Sequence, residues 1–363
     1  MLERYGHGGD LLTAEEMFGR PKAQFVDFSS NMNPFGPPPS AERAFRKAWE
    51  DIGKYPDPAV RELTRKLSVR YGIPEESILV GNGAAELIDL SIRALAPQTV
   101  GIARPSFTEY EEAVRKAGGR TVDIALSERH GFVLQADEAA RACERAEAMF
   151  LGHPNNPTGR LLPPEILRFL ADSGRQILLD EAFIDFCPHE DRCSMIREAA
   201  RSDRLFVIRS MTKFYAIPGV RLGFVVAHPD RIRRMRELKV PWSVNGLAQE
   251  IGIAVLDDAA YAARTRAWLA DERNWLAARL ADLGLQVVPS DANFVLFSFP
   301  PDSGWTARKA QERLGRRGIL IRDASLFPGL NERYVRVAVR LRPDNERLVE
   351  EIGRLMAEGE GRS

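Results

Sequence analysis

The segment "RSMTKFYAIPGVRLGF", residues 209–224, places Lys213 between Ser210 and Arg221. A lysine attacks an aldehyde only when its amine is partly deprotonated, through burial or a neighbouring positive charge. The hydroxyl and the guanidinium on either side would give a phosphate dianion two donors while the amine reaches elsewhere. Taken alone, Lys213 reads as a surface lysine in a basic loop, so the weight rests on what accompanies it. "QILLDEAFIDF" ends an apolar run on Asp180. A carboxylate there must be paired, for example with a protonated pyridine nitrogen, or must cap a helix. "LGHPNNPTG" supplies Asn156, an amide able to donate to a phenolate oxygen, in a sequence that is also a strong turn former. "GNGAAELIDL" passes from an apolar run into a helix, so the amides of Gly83, Ala84 and Ala85 could hold a phosphate, or simply make a tight turn. "RPSFTEY" sets Phe107 after another run, placed to stack on a flat ring or to pack in the core.

These residues are far apart in sequence and need a scaffold that gathers them. From about residue 60 to 240, helical patterns such as "VRELTRKLSVRYG" and "PPEILRFLADSG" alternate with short apolar runs. The runs are "SILVG", "TVGIA", "RTVDIAL", "AMFLG", "QILLDE", "LFVIRS" and "RLGFVVA". Continuous apolar runs between helices predict a mainly parallel seven-stranded sheet covered on both faces. In such an α/β sheet, ligands collect at the carboxyl ends of the strands, where the residues above fall. The opening residues 1–38 read as an irregular segment ending in "NMNPFGPPPS", followed by a helix at "AERAFRKAWEDI" with Ser40 as its cap. After about residue 245 come two long helical patterns and then strands at "ANFVLFSF", "ILIRD" and "YVRVAVR". The expected organisation is therefore an amino-terminal segment (1–38), a large domain (39–245) and a smaller α+β domain (246–363).

Composition narrows the function classes. Basic and acidic residues balance at 51 each, without the clustered basic excess of a nucleic-acid binder. Cys143, Cys187 and Cys193 have neither a paired nor a zinc-like spacing, so reduced thiols and no metal site are expected. There is no charged-then-apolar leader and no long apolar span, which points to a cytoplasmic protein that does not enter a membrane.

Together the motifs resemble those of the fold-type-I pyridoxal-phosphate enzymes, over nearly the whole chain. The resemblance implies that Lys213 binds the cofactor aldehyde, Asp180 pairs with the ring nitrogen, Asn156 meets the ring oxygen and Phe107 stacks on the ring. Ser210, Arg221 and the amides of Gly83, Ala84 and Ala85 would hold the cofactor phosphate. "KYPDP" resembles the segment whose tyrosine, here Tyr55, crosses to a neighbouring subunit, which implies a homodimer with shared sites. Arg336 in "YVRVAVR" matches the arginine that grips a substrate α-carboxylate. The chain departs at Phe183, where many aminotransferases carry a tyrosine, so the ring oxygen has one donor fewer. Ala84 and Ala85 replace the polar residues common in that loop.

Within the family, two subgroups that handle small phosphorylated amines are closest in pattern: decarboxylases of threonine phosphate in the cobalamin pathway, and aminotransferases of histidinol phosphate. "YGHGG" followed by "FVDFSSNMNPFGPP", "DEAFIDF" and "TKFYAIPGVRLGF" resemble the decarboxylases more. That resemblance implies that His7, Gly8, Asn31 and Arg322 surround a substrate phosphate, with Arg336 and Asn156 near the carboxylate. Glycine lets a backbone approach a phosphate closely, and histidine and arginine can donate to it.

Overall fold

Strands buried on both faces send alternate residues into two different cores, which is why they read as unbroken apolar runs. The computed structural model describes residues 2–4 and 6–360. A helix, Leu11–Phe18, leads to a short strand, β1 (Val26–Asp27). Then come β2 (Ile78–Gly81), β3 (Thr99–Arg104), β4 (Arg120–Ala125) and β5 (Ala148–Gly152). The large sheet is completed by β6 (Gln176–Asp180), β7 (Leu205–Ser210) and β8 (Gly223–Val226). All seven apolar runs are strands of this one sheet, in the order β2-β8-β7-β6-β5-β3-β4. It is parallel except at β8, which runs antiparallel to both β2 and β7. On β7, Leu205 and Val207 join one hydrophobic core while Phe206 and Ile208 join the core on the opposite face.

The second sheet is antiparallel. Its strands are β9 (Gln286–Val288), β10 (Phe294–Ser298), β12 (Arg322–Asp323) and β13 (Tyr334–Ala338), ordered β12-β13-β10-β9. The short β11 (Ile319–Leu320) pairs in parallel with β1, so the amino-terminal segment is tied by backbone hydrogen bonds to the carboxyl-terminal region. The changeover between the two regions differs from the boundary expected at 245. Helix Gly246–Leu256 packs on helices Pro39–Trp49 and Arg61–Tyr71, whereas helix Ala259–Asp282 packs on β9, β10 and helix Arg342–Glu360. No helix among the described residues is long and apolar enough to cross a membrane.

Two local expectations are corrected. The opening segment is not wholly irregular: Asp10 caps Leu11–Phe18, accepting from the Thr13 backbone N–H at 3.0 Å and the Thr13 hydroxyl at 2.6 Å. Aspartate at the cap satisfies an otherwise orphaned amide. Ser40 does not cap its helix, because Pro39 already occupies the first helical position, where a missing N–H costs nothing. Ser40 donates instead to Asp258 at 2.9 Å, joining that helix to the start of Ala259–Asp282.

Candidate active site

The carboxyl ends of β2, β3, β5, β6 and β7 open onto one cavity of about 360 Å³. Ser210 ends β7, and Lys213 follows on the single turn Met211–Phe214. That turn is clamped from the amino-terminal segment. The Asn33 backbone N–H donates to the Lys213 carbonyl at 3.1 Å, and Asn33 Nδ2 donates to the Phe214 carbonyl and to Thr265 Oγ1, both at 2.9 Å. Burial, and next the Arg221 guanidinium, pull the Lys213 amine down to about 8 against the opposing charge of Asp180. This is the condition for a nucleophilic amine near neutral pH.

Asp180 lies across the same cavity at the end of β6. Burial pushes its carboxyl above the usual range, while a hydrogen bond from Tyr110, the Ala182 N–H and the charge of Lys213 draw it back. Phe107 and Asn156 line the cavity. At the helix N-terminus the glycines make room: a Cβ at Gly83 would lie 2.5 Å from Arg221 Nη2, and one at Gly223 would lie 2.9 Å from the Ala84 nitrogen. Arg221 adopts a left-handed backbone (φ +60°) that turns it back towards this corner. The Gly83 N–H itself donates to the Gly81 carbonyl at 2.8 Å, so the amides of Ala84 and Ala85, at the start of helix Ala84–Leu95, and not that of Gly83, are the ones that could take a ligand there.

These residues fit pyridoxal phosphate. Ala84, Ala85, Ser210 and Arg221 would take its phosphate, Lys213 its aldehyde, Asp180 its ring nitrogen and Phe107 its ring face. Phe183 also lines the cavity, packed edge-on against Phe294 at 5.0 Å, and contributes no hydroxyl. No metal-binding group of three or more His, Cys, Asp or Glu is found among the described residues, and Cys143, Cys187 and Cys193 are free thiols.

The far side of the cavity is cationic. Arg322 on β12 and Arg336 on β13 both reach it, and both are almost fully buried. Arg336 donates to Asn156 Oδ1 at 2.5 Å and to the Ser29 carbonyl at 2.7 Å. Arg322 donates to the Gly6 carbonyl at 2.7 Å. Burial, then the charge of Arg322, pull Arg336 down to about 9, so it remains a cation at neutral pH. Asn31, whose buried Oδ1 has no hydrogen-bond partner among the described residues, and Gly8 complete this wall. Gly8 passes so close to residue 29 that a Cβ would lie 2.3 Å from the Ser29 carbonyl oxygen.

His7 reaches the cavity from the amino-terminal segment and donates through Nε2 to Glu109 at 3.1 Å. That pair was not expected from the sequence, and the His7 hydrogen bond holds the Glu109 carboxyl below its ordinary range. Glu3 is a second omission. Its buried carboxylate accepts from Gln311 at 2.7 Å and lies 3.7 Å from Arg322 Nη1, anchoring the segment beneath the guanidinium. Tyr110 is a third, although its spacing of one helical turn from Phe107 was a visible signal. Tyr55 is not in this cavity: it is 87% exposed, beside Trp242 at a ring separation of 5.5 Å.

Residues 23–352 match the family described as aminotransferase class I and II. The chain is similar to the threonine-phosphate decarboxylase of Salmonella typhimurium, at 37% identity over 349 residues covering 94% of each protein. It is also similar to a histidinol-phosphate aminotransferase of an Anaeromyxobacter species, at 33% identity covering 98% of this chain and 97% of that one. Among solved structures, L-threonine-O-3-phosphate decarboxylase from Porphyromonas gingivalis has a TM-score of 0.81 at 29% identity, covering 91% of this chain and 99% of the other.

Proposed function

The chain belongs to the class I and II aminotransferase family and is a pyridoxal-phosphate-dependent enzyme, and from that premise we propose that it decarboxylates O-phospho-L-threonine to (R)-1-aminopropan-2-yl phosphate for adenosylcobalamin synthesis. The observation that carries this reading is the pair of separate cationic stations on one wall. Arg322 with His7, Gly8 and Asn31 suits a phosphate, and Arg336 with Asn156 suits a carboxylate. A substrate bearing both anions fills both stations in one binding event, whereas a transaminase would fill them in turn, the first with histidinol phosphate and the second with the α-carboxylate of its amino-acid co-substrate.

Bound pyridoxal phosphate supplies the aldehyde that takes up the substrate amine and the ring that accepts the electrons of the broken bond. The chain's own residues choose the bond. A phosphate fixed between Arg322 and the amino-terminal segment, with the amine held over Lys213, sets the rotation about the bond to Cα. That rotation decides whether the carboxylate or the hydrogen leaves. Lys213, with its amine pulled down to about 8, is the group placed to return a proton to Cα.

A second reading, transamination, draws support from Arg336 itself. A guanidinium that grips the carboxylate stabilises the ground state and opposes loss of CO2. Two of the five Arg336 N–H donors are already engaged by Asn156 and Ser29, which limits that grip. The deciding experiment supplies the cofactor-loaded protein with O-phospho-L-threonine and no keto acid. Many turnovers of stoichiometric CO2 and aminopropanol phosphate support decarboxylation; one turnover ending in the pyridoxamine absorbance supports transamination.

The functional unit we propose is a homodimer. Trp49, Ile52, Tyr55 and Trp242 are all exposed on one chain, and Tyr55 is spare for a neighbour's phosphate site.

A further inference from the structure

Tyr110 is fully buried in the first turn of helix Glu109–Lys116, and its side chain is hydrogen-bonded to the carboxylate of Asp180. The phenol donates to Asp180 Oδ2 at 2.8 Å, while the Ala182 backbone N–H donates to Oδ1 at 3.0 Å. Each oxygen of the carboxylate therefore has one donor from the protein. The Tyr110 ring cannot swing away. It stacks on Phe150 on β5, with ring centroids 4.1 Å apart and planes 14° from parallel, and Phe107 meets its edge at 5.7 Å.

We propose that Tyr110 is a positioning residue for the cofactor: its phenol holds Asp180 ionised and in one orientation, so that the proton shared with the pyridine nitrogen stays on the nitrogen. A carboxylate and a pyridinium buried together have a neutral alternative. The N–H bond breaks, an O–H bond forms on the carboxylate, and the charge separation is lost with no other reactant involved. Low polarity favours that alternative, and hydrogen bonds to the carboxylate oppose it, because they stabilise the charged form. Tyr110 suits the task because it is always a donor. Burial, and then the charge of Asp180, push its own ionisation far above the ordinary tyrosine value. Phe107 and Tyr110 both line the cavity, three residues apart, and divide the work: the first offers its ring face and the second donates to the aspartate.

This inference rests on the cofactor alone and holds whether the chain decarboxylates or transaminates, so the loss of either substrate reading leaves it standing. The test is Tyr110→Phe, which removes one oxygen and keeps the stack, in holoenzyme reconstituted with pyridoxal phosphate labelled with nitrogen-15 in the ring. The ring-nitrogen NMR signal of the wild type should sit at the protonated position. In Tyr110→Phe it should move towards the unprotonated position, which Asp180→Asn marks independently. The cofactor dissociation constant should rise about tenfold or more, the usual scale for one hydrogen bond to a charged group. The kcat should fall by a similar factor while KM changes little. Phe150→Leu loosens the same packing without touching the hydrogen bond and should leave the nitrogen signal in place. A wild-type nitrogen signal in Tyr110→Phe, or an equal movement in Phe150→Leu, would overturn the proposal.

Discussion

Arg322 and Arg336 are register partners across β12 and β13, directly opposite one another and 4% and 6% exposed. Like charges at opposed positions destabilise a sheet, and buried ones do so more. The carboxylate of Glu3 beneath Arg322 offsets only part of that charge. Among the described residues, Arg322 Nη1 and Arg336 Nε are buried without a hydrogen-bond partner. The two strands are thus held in an arrangement that an incoming anion completes.

The first consequence concerns ligand-linked stability. O-Phospho-L-threonine should raise the unfolding temperature of the apoprotein more than L-threonine does, since a ligand at a hundred times its Kd stabilises by about 2.7 kcal/mol. Arg322→Gln should erase the difference between the two ligands. Equal shifts from both ligands in the wild type would remove Arg322 from the phosphate site.

Capture of the cofactor should follow the free amine of Lys213. The rate at which apoprotein takes up pyridoxal phosphate should climb with pH through about 8 and then level off, because the unprotonated amine is the nucleophile. Arg221→Gln removes a neighbouring cation that favours the neutral amine, so the midpoint should move to higher pH. Lys213→Ala should abolish both the bound-cofactor absorbance and turnover.

Gly8 tests the amino-terminal segment without changing charge. With the Ser29 carbonyl 2.3 Å from a would-be Cβ, Gly8→Ala must push the segment away from the pocket. KM for the phosphorylated substrate should rise about tenfold, roughly 1.4 kcal/mol, with cofactor affinity unchanged. His7→Ala should move in the same direction. Unchanged kinetics in both variants would leave the segment without a part in substrate binding.

His153 gives a pH-dependent share of stability. The Leu162 N–H donates to its Nδ1 at 3.0 Å, so Nε2 carries the proton and donates to the Cys193 carbonyl at 3.0 Å. Burial lowers this imidazole from 6.5 to about 4. As pH falls through 6.5 the unfolded chain gains a proton that the folded one does not, so stability is lost between 6.5 and about 4. The loss amounts to about 3 kcal/mol. Glu181, raised by burial to about 7, binds its proton first in the folded state and acts oppositely over much of that window. The comparison to make is therefore wild type against His153→Gln by denaturant unfolding, in which the variant should lose less stability on acidification.

Shared sites should complement. Lys213→Ala and Tyr55→Ala chains, each inactive alone, should regain up to about a quarter of wild-type activity when refolded together, since half the dimers are mixed and each mixed dimer has one intact site. No recovery would argue that Tyr55 serves only its own chain.

The sequence by itself determined the large sheet and the cofactor end of the site. All its strands but the edge strand β4 are buried on both faces, so they appear as apolar runs that need no knowledge of their neighbours, and Asp180 and Ser210 end such runs while Asn156 and Lys213 follow them within a few residues. The Leu11–Phe18 helix was hidden because only its cap, Asp10, gives a local signal and few of its side chains are buried. Tertiary structure alone decided the substrate wall. The opposition of Arg322 and Arg336 is a matter of register. The seating of Glu3 under Arg322, the His7–Glu109 pair and the bond from Tyr110 to Asp180 each join residues 70 or more positions apart. Periodicity and turn chemistry act over one element at a time. Which polar side chains meet across hundreds of residues is set by packing and strand pairing, and no local pattern encodes it.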